Sequence, residues 1–67
     1  MELSARNQIR GTVTSIKIGA VMAEVVVDIE SQEITATITN GAVERLKLAV
    51  GDRVTAVIKA SDVMIGK

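Results

Sequence analysis

The chain has 67 residues, eight Lys and Arg against eight Asp and Glu, a formal net charge of zero, and no His, Cys or aromatic residue. That composition excludes a disulfide, a thiolate or imidazole metal site, and most redox or proton-shuttle chemistry. It also lacks the basic field and the stacking rings on which nucleic-acid binding draws.

Val, Ile and Thr dominate, as β-structure prefers. The first extended run is Gln8-Ile9-Arg10-Gly11-Thr12-Val13-Thr14, continuing to Ile18. Its apolar phase is odd-numbered at Ile9 and Val13 and even-numbered at Ile16 and Ile18, which predicts a bulge near Ser15. Gly11 fits a close backbone approach or a bend. After a turn at Gly19-Ala20, Val21, Ala23, Val25, Val27 and Ile29 alternate with Met22, Glu24, Val26, Asp28 and Glu30, a period-two strand. Glu30-Ser31-Gln32 reads as a hairpin connection. In the next strand Ile34, Ala36 and Ile38 alternate with Thr35, Thr37 and Thr39, so one face is apolar and the other is a row of hydroxyls.

Asn40 is the expected N-cap of a short helix over roughly 41–47, where Val43, Leu46 and Val50 recur at helical spacing. Gly51-Asp52 is a turn. Val54, Ala56 and Ile58 form another alternating strand, and Val63-Met64-Ile65 a last short one after the polar break at Ser61-Asp62. Strand, strand, strand, helix, strand, strand is the order of an OB-type Greek-key barrel: an all-β, five-stranded fold with one short helix between strands 3 and 4. One domain over residues 1–67 is all this length allows.

A chain this short buries only about 60% of the surface its unfolded form exposes. Folds of that size add a disulfide, a metal or a partner subunit. The first two are excluded here, so a homo-oligomer is expected, in keeping with 48% apolar residues. Met1-Glu2-Leu3-Ser4 has neither the basic start nor the apolar core of a signal peptide. No apolar run approaches the ~20 residues of a membrane span. The lack of Cys suits a reducing compartment.

The chemistry-bearing side chains fall into two stretches, Ser4-Ala5-Arg6-Asn7-Gln8 and Lys59-Ala60-Ser61. Arg6 presents five donors in a planar fork suited to two oxygens of an oxyanion. Ser4 lies two residues away, on the same side of an extended chain. Lys59 and Ser61 add a charge and a hydroxyl where the chain turns after a strand, a place where exposed backbone N–H groups form an anion nest. Of the threonine row only Thr39, at the strand end beside the helix, is singled out by position. Each of these features also has an ordinary explanation: a frayed terminus, a solvated strand end, β-propensity. The acids are scattered, with no pair set for general acid–base work, no calcium loop and no phosphate loop.

Ser4-Ala5-Arg6-Asn7-Gln8-x-x-Gly11 resembles the molbindin family, small molybdate-binding proteins made of one TOBE-type (transport-associated OB) domain. The likeness continues through Ala23-Glu24-Val25-Val26, Val43-Glu44-Arg45-Leu46 and Val50-Gly51-Asp52 to Thr55-Ala56-Val57-Ile58-Lys59-Ala60-Ser61-Asp62-Val63-Met64-Ile65-Gly66, essentially the whole chain. Similar domains occur within molybdate-importer ATPases and molybdate-responsive regulators; with nothing attached, the freestanding form is the better match. The resemblance implies a cytoplasmic homo-oligomer, a hexamer built as a trimer of dimers, holding molybdate or tungstate between subunits without an organic cofactor. By position, Ser4, Arg6, Thr39 and Lys59 would supply side-chain donors, and Lys59-Ala60-Ser61 backbone N–H groups. Some relatives have a Ser three residues after the threonine; this chain has Ala42, one hydroxyl fewer. The family's second class of sites, near a symmetry axis, has only the Gly19-Ala20-Val21 turn as a candidate here.

The expected function is intracellular storage and homeostasis of a tetrahedral oxyanion. The alternative is an interaction module that senses the oxyanion for a transporter or regulator. Catalysis has no residues to carry it, and a pterin ring would have nothing to stack on.

Overall fold

The computed structural model describes residues 4–67. Four antiparallel strands form one sheet in the order β3-β2-β1-β4. They are β1 Asn7–Ile18, β2 Met22–Ile29, β3 Gln32–Thr39 and β4 Arg53–Ile58, with helix α1 Asn40–Leu46 between β3 and β4 and a 3-10 turn over Ala60–Asp62. The architecture is mostly β with one short helix, OB-like in its order.

Alternation in the sequence becomes alternation across the sheet. Ala23, Val25 and Val27 of β2 point inward and join Val13 and Val43 as the buried core. Outward, Glu24, Val26 and Asp28 face Thr37, Thr35 and Glu33 of β3. The helix follows because Val43 is the residue it buries, against β2 and β3. Lys47 ends it in the left-handed region (φ 52), its N–H bonded to the Glu44 carbonyl, a usual way to close a last turn.

β1 holds the sheet together by serving two partners. Residues 7–12 pair with β4 and residues 12–18 with β2. The register slips between Val13↔Val27 and Ser15↔Val26, so Thr14 is the extra residue of a bulge, where the apolar phase change placed one. The turn before β4 is fastened just beside it: Val13 N–H donates to the Asp52 carbonyl at 2.9 Å and Gly51 N–H to the Val13 carbonyl at 2.8 Å.

Gly11 is the close approach. A Cβ there would lie 2.6 Å from the Asp28 carbonyl oxygen and 2.5 Å from a Val27 methyl carbon. Backbone cannot yield as a side chain does, so Gly11→Ala is expected to destabilise the fold by about 1–3 kcal/mol. A thermal melt followed by circular dichroism should show the midpoint fall by several degrees; an unmoved midpoint would mean the strands part there at no cost.

Two expectations need correction. The helix N-cap is Thr39, not Asn40: Thr39 is still extended (φ −71, ψ 151) and its side chain accepts from Ala42 N–H. Pairing of Thr39 with Met22 keeps it extended at the end of the ladder, so Thr39 caps and the helix starts at Asn40, one residue earlier than expected. The second correction is larger. Val63-Met64-Ile65 forms no strand, and the sheet is open, not a closed five-stranded barrel. After the 3-10 turn this segment meets no strand edge of its own chain to pair with, and β-propensity is realised only on a paired, half-buried surface. Met64 and Ile65 are each 91% exposed. Beside this core the inner face of the sheet leaves an open apolar trough of 480 Å³, floored by Val25 and Val27 and rimmed by the half-buried Ile34, Ile38, Val54 and Ile58.

Candidate oxyanion site

The antiparallel register of β1 with β4 runs Asn7↔Ile58, Gln8↔Val57. Carried one residue past the ladder, it sets Arg6 level with Lys59. The two donor stretches of the sequence are thus neighbours, each leaving the end of the same strand pair. Ser4, Arg6, Lys59, Ala60 and Ser61 are all exposed. Ser4 and Arg6 lie in a bent stretch ahead of β1 and not in the strand itself, with Gln8 Nε2 donating to the Ala5 carbonyl at 3.2 Å. Both side chains are exposed, but they do not sit on a strand whose alternation would set them on one side.

Beyond Lys59 the 3-10 turn makes two bonds, Asp62 N–H to the Lys59 carbonyl at 2.9 Å and Val63 N–H to the Ala60 carbonyl at 3.3 Å. The N–H groups of Ala60 and Ser61 come before these and have no acceptor within the turn. Those are the backbone donors that the sequence placed in this stretch.

Thr39 sits elsewhere. It pairs with Met22 at the end of β2 and β3, beside the Ile18 end of β1, whereas Arg6 and Lys59 lie at the Asn7 end. The 12 residues of β1 lie between the two ends, in a molecule whose longest extent is 33 Å. One chain therefore assembles Arg6 with Lys59-Ala60-Ser61 and leaves Thr39 at the far end. Thr39 Oγ1 accepts from Ala42 N–H at 3.0 Å, which uses a lone pair and leaves the hydroxyl proton to give. Ala42 itself adds only that N–H.

Next to Thr39, Asn40 does what the sequence reading missed. Its Nδ2 donates to the Gly19 carbonyl at 2.9 Å and its backbone N–H to the Val21 carbonyl at 2.9 Å. The only cue was an amide at a helix start, and that cue read as a cap.

Every group in the set can donate: one guanidinium, one ammonium, hydroxyls and backbone N–H. No carboxylate belongs to it, and among the described residues no group of three or more His, Cys, Asp or Glu could hold a metal ion. Among the described residues no helix is long and apolar enough to cross a membrane. Such a site suits a small anion with acceptor oxygens and no proton of its own.

The TOBE domain family matches residues 3–65. The chain belongs to the TOBE-domain family. This TOBE chain is 47% identical over 66 residues to molybdenum-pterin-binding protein 1 of Clostridium pasteurianum, covering 97% of each. Among solved structures it is similar to a molybdate-binding protein from Sporomusa ovata, with a TM-score of 0.96, 42% identity and all of both chains covered. It is also similar to the cytoplasmic molybdate-binding protein ModG in its molybdate-bound form, with a TM-score of 0.90 and 48% identity over 96% of this TOBE chain and 46% of ModG.

Proposed function

We propose that this TOBE chain binds molybdate, or the nearly identical tungstate, as a free oxyanion at interfaces between copies of itself, for storage and homeostasis in the cytoplasm. Likeness to the molybdate-binding protein of Sporomusa ovata and to molybdate-bound ModG supports the ligand, and ModG, a cytoplasmic protein, supports the compartment. The observation that carries the reading is the split donor set: Ser4, Arg6, Lys59, Ala60 and Ser61 at one end of β1 and Thr39 at the other. Thr39 joins the others only when a neighbouring copy brings it there.

The open trough and the exposed C-terminal segment argue for the same assembly. An apolar trough of 480 Å³ lies open, and Val63, Met64 and Ile65 are 46%, 91% and 91% exposed. A chain of this size is marginal in stability on its own, and covering both adds apolar burial that it lacks. In our reading a second copy's Val63-Met64-Ile65 covers the trough and supplies the missing fifth strand, while Lys59-Ala60-Ser61 stays beside Arg6 of its own chain. The expected final assembly is a hexamer, a trimer of dimers.

The chemistry fits the bare oxyanion better than a pterin complex. Molybdate and tungstate are tetrahedral dianions with four acceptor oxygens, and charge-assisted hydrogen bonds to them contribute roughly 1.5–3 kcal/mol each. Phosphate keeps a proton near neutrality and would favour a carboxylate acceptor, and the set offers only hydroxyl oxygens for that. A pterin needs a ring to stack on, and the chain has none. The same poverty of His, Cys and paired acids makes it a binder and not an enzyme.

Dialysis of the purified protein against equal molybdate, tungstate and sulfate, followed by metal analysis and a mass measurement in solution, tests the reading. Molybdenum or tungsten should stay with a multi-subunit species while sulfate washes out. A monomer retaining neither metal would overturn it.

A further inference from the structure

The Thr39 hydroxyl has to be held still if it is to meet a ligand brought by another copy. Thr39 is the last residue of β3, and the segment that fixes it is Asn40. The Asn40 backbone N–H and side-chain Nδ2 both enter the Gly19–Val21 turn, to Val21 O and Gly19 O, each at 2.9 Å. That turn is closed in its own right by Gly19 N–H to the Met22 carbonyl at 2.9 Å. It is also tight, since a Cβ on Gly19 would lie 2.7 Å from the Met22 carbonyl oxygen. Met22 is in turn the cross-strand partner of Thr39. On the other side Ala42 N–H holds Thr39 Oγ1 at 3.0 Å.

Thr39 is therefore clasped from both directions, by the β1–β2 turn through Asn40 and by the first helical turn through Ala42. The Nδ2 bond fixes which way the amide faces, and Asn40 Oδ1 is left buried without a donor. A buried acceptor without a partner is uncommon and wants a reason. It is tolerated here because the orientation that orphans Oδ1 is the one that lets Nδ2 reach Gly19.

The geometry points to Asn40 as a positioning residue: it sets the rotamer and place of Thr39 and so tunes oxyanion affinity without touching the ligand. This rests on the proposed role of Thr39 and adds to it a residue that only acts through another. Because Asn40 works through Thr39, its loss matters only while the Thr39 hydroxyl is present.

A double-mutant cycle on the assembled protein, with sodium molybdate as the titrant in calorimetry, decides the matter. Asn40→Ala is expected to weaken binding roughly 3- to 10-fold, the scale of one lost hydrogen bond. Thr39→Val should weaken it as well. In the Thr39→Val background, Asn40→Ala should weaken it no further. NMR supplies the second readout: in Asn40→Ala the Thr39 χ1 couplings and the Ala42 amide shift should move. Equal losses from Asn40→Ala in both backgrounds, or unaltered affinity with an unmoved Thr39 rotamer, would make Asn40 merely structural and overturn the inference. If Thr39→Val alone leaves affinity untouched, the role proposed for Thr39 fails, and the positioning role falls with it.

Discussion

Arg6→Ala is expected to weaken molybdate binding by about 2–4 kcal/mol, roughly 30- to 1,000-fold in the dissociation constant. Arg6 is the sole guanidinium in the proposed set, and its fork can hold two ligand oxygens at once. Truncating it removes those bonds and leaves a dianion inside an interface with Lys59 as the remaining full charge. Arg6→Lys separates the two contributions: it restores the charge but not the bidentate geometry, so an intermediate affinity is expected. Since Arg6 is exposed and outside the sheet, neither change should disturb folding, which circular dichroism will verify. Calorimetric affinity equal to that of the parent would show that the N-terminal motif serves structure and not the ligand.

The second large effect is expected from residues that touch nothing in a single chain. Met64 and Ile65 are 91% exposed, and substitutions at such positions ordinarily change stability by less than about 0.5 kcal/mol. If they fill the trough of a neighbour, carboxylates there would be buried without partners, at a cost of several kcal/mol each. Met64→Asp with Ile65→Asp should then split the oligomer and abolish oxyanion binding together, although Ser4, Arg6, Thr39 and Lys59 are all intact. Sedimentation and calorimetry on the same sample read both. A variant with parental mass and affinity would place the interface elsewhere.

Most strands were legible because their residues obey a local rule. Val21 to Ile29 alternates without a break, and the strand emerges at Met22–Ile29. The phase change between Val13 and Ile16 is a covalent record of the bulge at Thr14, and the need for Gly11 is met by the Asp28 carbonyl that crowds it. Local rules fail where the outcome depends on a partner. Thr39 and Asn40 are both good caps, and the choice between them was made by the pairing of Thr39 with Met22, which lies across the sheet. Val63-Met64-Ile65 has strand-forming residues, but strandedness is a property of a pair, and this segment has no mate within its own chain. The candidate donor residues were readable as chemistry. Their division between the two ends of β1 was not, because spacing along a sequence says nothing about which end of a folded strand a residue returns to.

That division has an outcome for how such a protein would behave as a reservoir. A pocket whose halves belong to different molecules fills by a reaction of higher than first order in polypeptide, because docking and loading draw on the same free energy. At high abundance the proposed particle would be whole and charged with cargo. As the polypeptide is diluted or degraded, pockets come apart while the remaining chains are still intact, and the anion is set free. Release would thus be governed by how much protein a cell keeps, with no separate signal required.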